Sequence, residues 1–183
     1  MTLLQDPSEL ARVERLLSEL TVEEKSMLTA GHDFWHLTRV PRAGIGALKM
    51  SDGPSGVRGG QMGTRRSLAF PCGMANGATW DPKLIERLGG AIADEARSKG
   101  VHVVLGPTVC IPRTPLGGRT FESYAEDPHL SARAAVAWIR GVQSRGVGCC
   151  VKHFACNDQE HERMTISAEV DERTLREVHL PSF

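Results

Sequence analysis

Apolar residues first recur at helical spacing, with Leu10, Val13, Leu16, Leu17 and Leu20 on one face behind Asp6, Pro7 and Glu9. An Asp N-cap, a Pro at the first helical position and an acid in the first turn suit the free N–H groups of a helix start, so an amphipathic helix is predicted from Pro7. Thr21 and Glu24 have capping-box spacing and Gly31 supplies a stop, which predicts a second, shorter helix almost without a linker. These make a helical lead-in over 6–31. A polar, aromatic-containing stretch then leads to the first predicted strand, 45–51.

From there an apolar strand, a Gly-rich or Pro-rich loop and a helix repeat, which defines a βα region over 45–183. Asp81-Pro82 opens a helix through Leu84, Ile85, Leu88, Ile92 and Ala96 toward Gly100, and 101–105 is the next strand. Asp127-Pro128 opens another, carrying Leu130, Ala134, Ala135, Trp138 and Ile139 and stopping near Gly146, and 147–151 is the third strand. A short strand is predicted over 165–170, then a helix capped by Asp171 and reaching about Leu180. The first three strands are near-continuous apolar runs, which predicts burial on both faces and a parallel sheet. The fold class is α/β.

The 183 residues are 40% hydrophobic and 24% charged, which excludes collagen, coiled coil and disorder, and the length fits one domain over 1–183, with two as the alternative. Lys and Arg number 22 and so do Asp and Glu, so no global field attracts nucleic acid or an anionic membrane. No apolar run approaches the roughly 18 residues of a membrane helix. The N-terminal residues lack the basic region of a secretory signal, and a cytoplasmic location is expected. Five cysteines, an odd number without paired spacing, read as reduced thiols, with Cys149 and Cys150 as small buried hydrophobes. Cys149, Cys150, Cys156, His153 and His161 lie close in sequence but lack the spacing of a structural zinc site, so no metal is expected. G-x-G-x-x-G, the P-loop, G-x-S-x-G and H-E-x-x-H are all absent, and no cofactor is expected.

In parallel sheets the loops beyond the strands' carboxyl ends converge on ligands. Ser51-Asp52-Gly53-Pro54 with Arg58 follows the first strand, Gly117-Gly118-Arg119-Thr120-Phe121-Glu122 the second, and Lys152-His153-Phe154 the third. A carboxylate, several multidentate cations and an imidazole suit a neutral polyol, whose hydroxyls each donate and accept. Asp52 could instead cap a turn, Arg119 could pair with Glu122 or Glu126, and Arg58 could be a loop charge. Lys152 and His153 are poor core residues. Successive strand residues point to opposite faces, so for both to reach one ligand the backbone between Val151 and Asn157 must be irregular. Glu122, Glu126, Asp158, Glu160 and Glu162 read as helix-start or loop charges, and Trp80 and Trp138 as core.

These motifs, with Ser123-Tyr124-Ala125-Glu126-Asp127-Pro128, Asn157 and His161-Glu162-Arg163, resemble the N-terminal half-barrel of family 3 glycoside hydrolases of the β-glucosidase type, from about Glu9 to Phe183. The resemblance implies an incomplete TIM-like (β/α) barrel preceded by N-terminal helices, and retaining hydrolysis of a β-glucoside or oligosaccharide. It implies that Asp52, Arg58, Arg119, Lys152, His153 and Arg163 bind the sugar's hydroxyls. A retaining enzyme uses two carboxyl groups, a nucleophile and an acid/base. In the family the nucleophile lies in a Ser-Asp-Trp motif on a later strand, which this sequence lacks, and the acid/base usually comes from a following sandwich domain. The chain is therefore expected to be a truncated member without catalytic residues of its own, whose partners are the rest of the enzyme or a second copy. A noncatalytic sugar-binding module and a structural remnant are the alternatives.

Overall fold

The computed structural model describes residues 6–59 and 66–183, in two units, Met1–Lys49 and Met50–Phe183. Residues 1–5, on which the secretory-signal reading rests, lie outside the described residues. The first unit opens with α1 (Pro7–Glu19), where the Asp6 side chain accepts from the Ser8 N–H. In α2 (Val22–Leu28) both halves of the Thr21–Glu24 capping box are made. Helix α2 ends three residues before Gly31, which instead forms an antiparallel bridge with Leu37. No residue of α1 or α2 is buried, and Leu10, Val13 and Leu17 remain 40–44% exposed.

In the second unit β1 (Met50–Asp52), β2 (Val103–Leu105) and β3 (Gly148–Cys149) form a parallel sheet in the order β1-β2-β3. Each strand is shorter than its apolar run. In particular, Ile45 belongs to no strand and only bridges Val40. Helices α3 (Gly73–Gly77), α4 (Pro82–Ser98) and α5 (Pro128–Gln143) fill the connections. Asp81 caps α4 through the N–H groups of Lys83 and Leu84, and Asp127 caps α5 through that of Leu130. Gly100 and Gly146, at φ 66° and 74°, take the left-handed conformation that ends each of these helices.

The core joins Ile85, Ile92 and Ala96 of α4 and Ala134, Trp138 and Val142 of α5 to Val104 of β2. Trp138 is fully buried, and truncating a residue of that size costs about 3–5 kcal/mol. The two helices approach closely because Gly89 and Gly141 lack side chains: a Cβ on Gly141 would sit 1.9 Å from the Glu86 carbonyl oxygen, and one on Gly89 2.3 Å from that of Trp138. Along β1 and β2 only the central position is buried, Ser51 and Val104 fully, whereas Met50, Asp52, Val103 and Leu105 are half-buried, as are both residues of β3. Burial on both faces is therefore not what this sheet shows. Helices cover the Val104 side, and among the described residues of this unit no second layer closes the other.

Three further expectations change. Residues 165–170 form no strand, because no neighbour among the described residues offers them a ladder. Trp80 is 75% exposed at φ 54°, immediately before the α4 cap, and Cys150 is exposed while Cys149 packs against the core. The Asp171 cap forms, but α6 (Glu172–Thr174) gives way at once to a π-helical turn, Leu175–His179, and a 3-10 turn, Leu180–Ser182.

Candidate functional site

Asp52 ends β1, and its carboxylate is the centre of one charged group. The Lys152 ammonium donates to it at 2.5 Å, and the Arg58 guanidinium pairs with it at 3.5 Å. Burial pushes the Asp52 carboxyl up, but the Lys152 hydrogen bond and the charges of Lys152, Arg58 and Arg119 outweigh it, so its pKa falls below the ordinary value. Lys152 is brought there by pairing that resumes beyond the regular ladder. Its N–H donates to the Pro107 carbonyl at 3.0 Å, and its own carbonyl accepts from Val109 at 2.8 Å. The Gly106–Pro107 peptide that starts this segment is cis.

The second group surrounds Arg119. Its Nε and Nη2 donate to the two oxygens of Glu122 at 2.9 and 2.8 Å, and Nη1 pairs with Glu160 at 3.5 Å. Glu160 also accepts from Asn157 Nδ2 and from Arg163, each at 2.7 Å. Glu122 is held in turn by the Thr108 hydroxyl at 3.1 Å. Burial raises the Glu160 carboxyl, while Asn157, Arg119 and Arg163 together bring it below the usual range.

His153 adjoins this second group. The Lys152–His153 and Phe154–Ala155 peptides are both cis, and beyond Lys152, which bridges Thr108, no regular strand continues through Asn157. Lys152 reaches Asp52, and His153 lines a cleft with Arg119, Asn157, Glu160 and Arg163. The Cys110 sulfur accepts from the His153 N–H at 3.4 Å and lies 3.8 Å from its Nδ1. Burial, with the charges of Arg119 and Lys152, pushes His153 down to about 4, so its ring is neutral near pH 7. Burial likewise raises the Cys110 thiol.

The six residues named from the sequence thus fall into two groups, Asp52 with Arg58 and Lys152, and Arg119 with His153 and Arg163. The charge of Arg119 acts on both Asp52 and His153. The cleft beside the second group has a volume of about 440 Å³. A larger hollow of about 660 Å³, lined by Met74, Pro112, Phe121 and Tyr124 among others, touches none of the six. Glu122, Glu160, Asn157 and Cys110 are additions that the sequence did not single out for the site. Glu122 and Glu160 read there as ordinary loop charges, and the Arg119–Glu160 partnership spans 41 positions. Asp158, which does not line this cleft, faces His179 at 3.6 Å, and burial raises its carboxyl although His179 and Arg113 oppose the rise.

Fold and site define an α/β domain whose paired acids and bases gather at the carboxyl ends of a parallel sheet. Residues 40–183 match the glycosyl hydrolase family 3 N-terminal domain. A β-glucosidase of Rhizobium radiobacter is 51% identical over 93% of this chain and 21% of its own length. The crystal structure of a β-glucosidase from Kluyveromyces marxianus in complex with glucose superposes with a TM-score of 0.91 at 44% identity, over 93% of this chain and 21% of that one. β-Glucosidase 3B from Thermotoga neapolitana, also in complex with glucose, gives 0.85 at 39% identity, over 93% and 27%. The chain belongs to glycoside hydrolase family 3, through its N-terminal domain, and it spans about a fifth of the length of the curated relatives it matches. Among the described residues no helix is long and apolar enough to cross a membrane.

Proposed function

We propose that the two charged groups bind the hydroxyls of one glucosyl unit of a β-glucoside. On this reading the chain supplies the sugar-binding part of a retaining glycoside hydrolase. The observation that carries it is the Asp52–Lys152 pair at 2.5 Å with Arg58, Arg119 and the neutral His153 around it. A sugar hydroxyl both donates and accepts. Asp52 accepts a hydrogen bond from it, Lys152 and the arginines donate to its oxygen, and a neutral imidazole can do either. The names of the relatives and the glucose held by two of the similar structures support the choice of sugar.

None of these carboxylates is free to act as nucleophile or acid/base. Asp52 is ion-paired with its pKa depressed, Glu122 is chelated by Arg119, and Glu160 is shared between two guanidiniums. A general acid needs a raised pKa, the opposite of what Asp52 and Glu160 have. Asp158, whose carboxyl is raised, faces His179 and does not line the cleft; as the family resemblance implies, the two catalytic carboxyls of a retaining mechanism belong to sequence that these 183 residues do not include. The same occupancy favours, as a second reading, a module that binds sugar without turning it over.

Thermal unfolding with increasing methyl β-glucoside tests the proposal. A ligand that binds only the folded state adds roughly 2.7 kcal/mol at about 100 times its Kd, which raises Tm measurably. The shift should vanish in Asp52→Ala. No shift in the unaltered chain at saturating sugar would refute sugar binding.

A further inference from the structure

Helix α4 brings an acid and a base to its inner side, where Ile92, Ala93 and Ala96 belong to the core. Glu95 and Lys99 stand four positions apart, so their side chains meet on one face, at 2.7 Å and each 8% exposed. Both reach the loop that follows β1. Glu95 accepts the Val57 N–H at 3.3 Å through one oxygen and the Leu68 N–H at 2.8 Å through the other. Lys99 donates to the Val57 carbonyl at 2.5 Å and to the Ser67 hydroxyl at 2.8 Å. Its stem lies so close to Gly59 that a Cβ there would stand 2.4 Å from it. One buried ion pair thus holds both the N–H and the carbonyl of Val57. Desolvation offsets much of the attraction within such a pair, so net stability is a weak reason for its presence.

Arg58 is the next residue. Its N–H donates to the Asp52 carbonyl at 3.0 Å and the Gly59 N–H donates to the Ser51 hydroxyl at 2.7 Å, so the backbone around this side chain is pinned to β1 on one hand and to α4 on the other. The Arg58 guanidinium is 54% exposed and meets Asp52 at 3.5 Å, a contact too long to hold so flexible a side chain unaided. We propose that Glu95, with Lys99, is a positioning residue that aims the Arg58 guanidinium at Asp52 by fixing both backbone groups of Val57. That Arg58 then meets a sugar hydroxyl rests on the sugar-binding reading above, whereas the placing of Arg58 does not.

Titration of the Asp52 carboxyl by carbon NMR of the full 183-residue chain reads this placement without a ligand. Burial raises that carboxyl while Lys152, Arg58 and Arg119 lower it, so moving Arg58 away raises its midpoint. Loss of the Glu95 charge by itself would lower the midpoint, so a rise reports the movement of Arg58. Glu95→Gln should raise it about as far as Arg58→Ala does, with no further rise when the two are combined. Glu95→Gln with Lys99→Met, which leaves no buried charge without its counterion, should behave as Glu95→Gln alone. Ile85→Val, a core truncation on the same helix, should lower Tm and leave the midpoint in place. Affinity for methyl β-glucoside should fall about tenfold in Glu95→Gln and in Arg58→Ala, and no further in the two together. An Asp52 midpoint that stays put in Glu95→Gln and in its double with Lys99→Met would overturn the positioning role. So would a rise that adds in full to that of Arg58→Ala. A midpoint that moves as expected in a chain that binds no methyl β-glucoside would uphold the positioning role and overturn sugar binding alone.

Discussion

The ammonium of Lys152 donates to the carboxylate of Asp52 at 2.5 Å although the two residues lie 100 positions apart. This bond joins the ends of β1 and of the segment after β3 across β2, and both partners are mostly shielded, with side chains 14% and 28% exposed. Removing one partner leaves the other charge poorly solvated, at a cost of about 1–3 kcal/mol. Asp52→Ala should lower Tm by several degrees in a scanning calorimeter, and Asp52→Asn, which keeps the shape, by less. An Asp52→Ala protein as stable as the parent would show the pair to be energetically idle.

Proton linkage follows from His153. Its folded pKa is about 4, against an ordinary value of 6.5, so between these values the unfolded chain binds a proton that the folded chain refuses. Its contribution to stability is whole above about pH 6.5 and is lost as the pH falls to about 4. Asp52 acts at lower pH. Its folded pKa is depressed, so its contribution holds above the unfolded value of 3.8 and goes as the pH falls through the folded one. Urea unfolding at stepped pH should show a decline from pH 6.5 to 4 that His153→Gln flattens. An NMR titration midpoint of the ring near 6.5 would contradict it.

Close approach of α4 and α5 makes Gly141 and Gly90 unequal. Gly141→Ala drives a methyl to 1.9 Å from the Glu86 carbonyl oxygen, whereas the nearest atom to a Cβ on Gly90 is 3.7 Å away. The first should destabilise by about 1–3 kcal/mol through overpacking. The second should be neutral or stabilise by up to about 1 kcal/mol, because alanine loses less conformational freedom in a helix. Parallel denaturant titrations of the two variants check the ordering.

Turnover is expected to be absent. With Asp52, Glu122 and Glu160 each held by cations, the 183-residue chain should not hydrolyse an aryl β-glucoside above a protein-free control, even where it binds the sugar. Hydrolysis abolished by Asp52→Ala would place a catalytic group within the chain.

Caps, helix stripes and strand positions were legible in the residues themselves, because each depends on neighbours within a few positions. Asp6, Thr21, Asp81, Asp127 and Asp171 cap the helices that their local spacing predicts, and the three apolar runs each hold a strand of the parallel sheet. The motifs after those strands named Asp52, Arg58, Arg119, Lys152, His153 and Arg163 as a set. Of the ion pairs, the local Arg119–Glu122 contact was one the sequence offered, but the distant ones were not legible. Arg119 has Glu122 three positions away but Glu160 forty-one, and Cys110 meets His153 over forty-three. Nor could alternation alone tell whether 165–170 would find a partner strand, or an apolar run show how little of it would pair. A local pattern states which side of a segment is apolar, but the surface that side meets is decided only when segments distant along the chain come together.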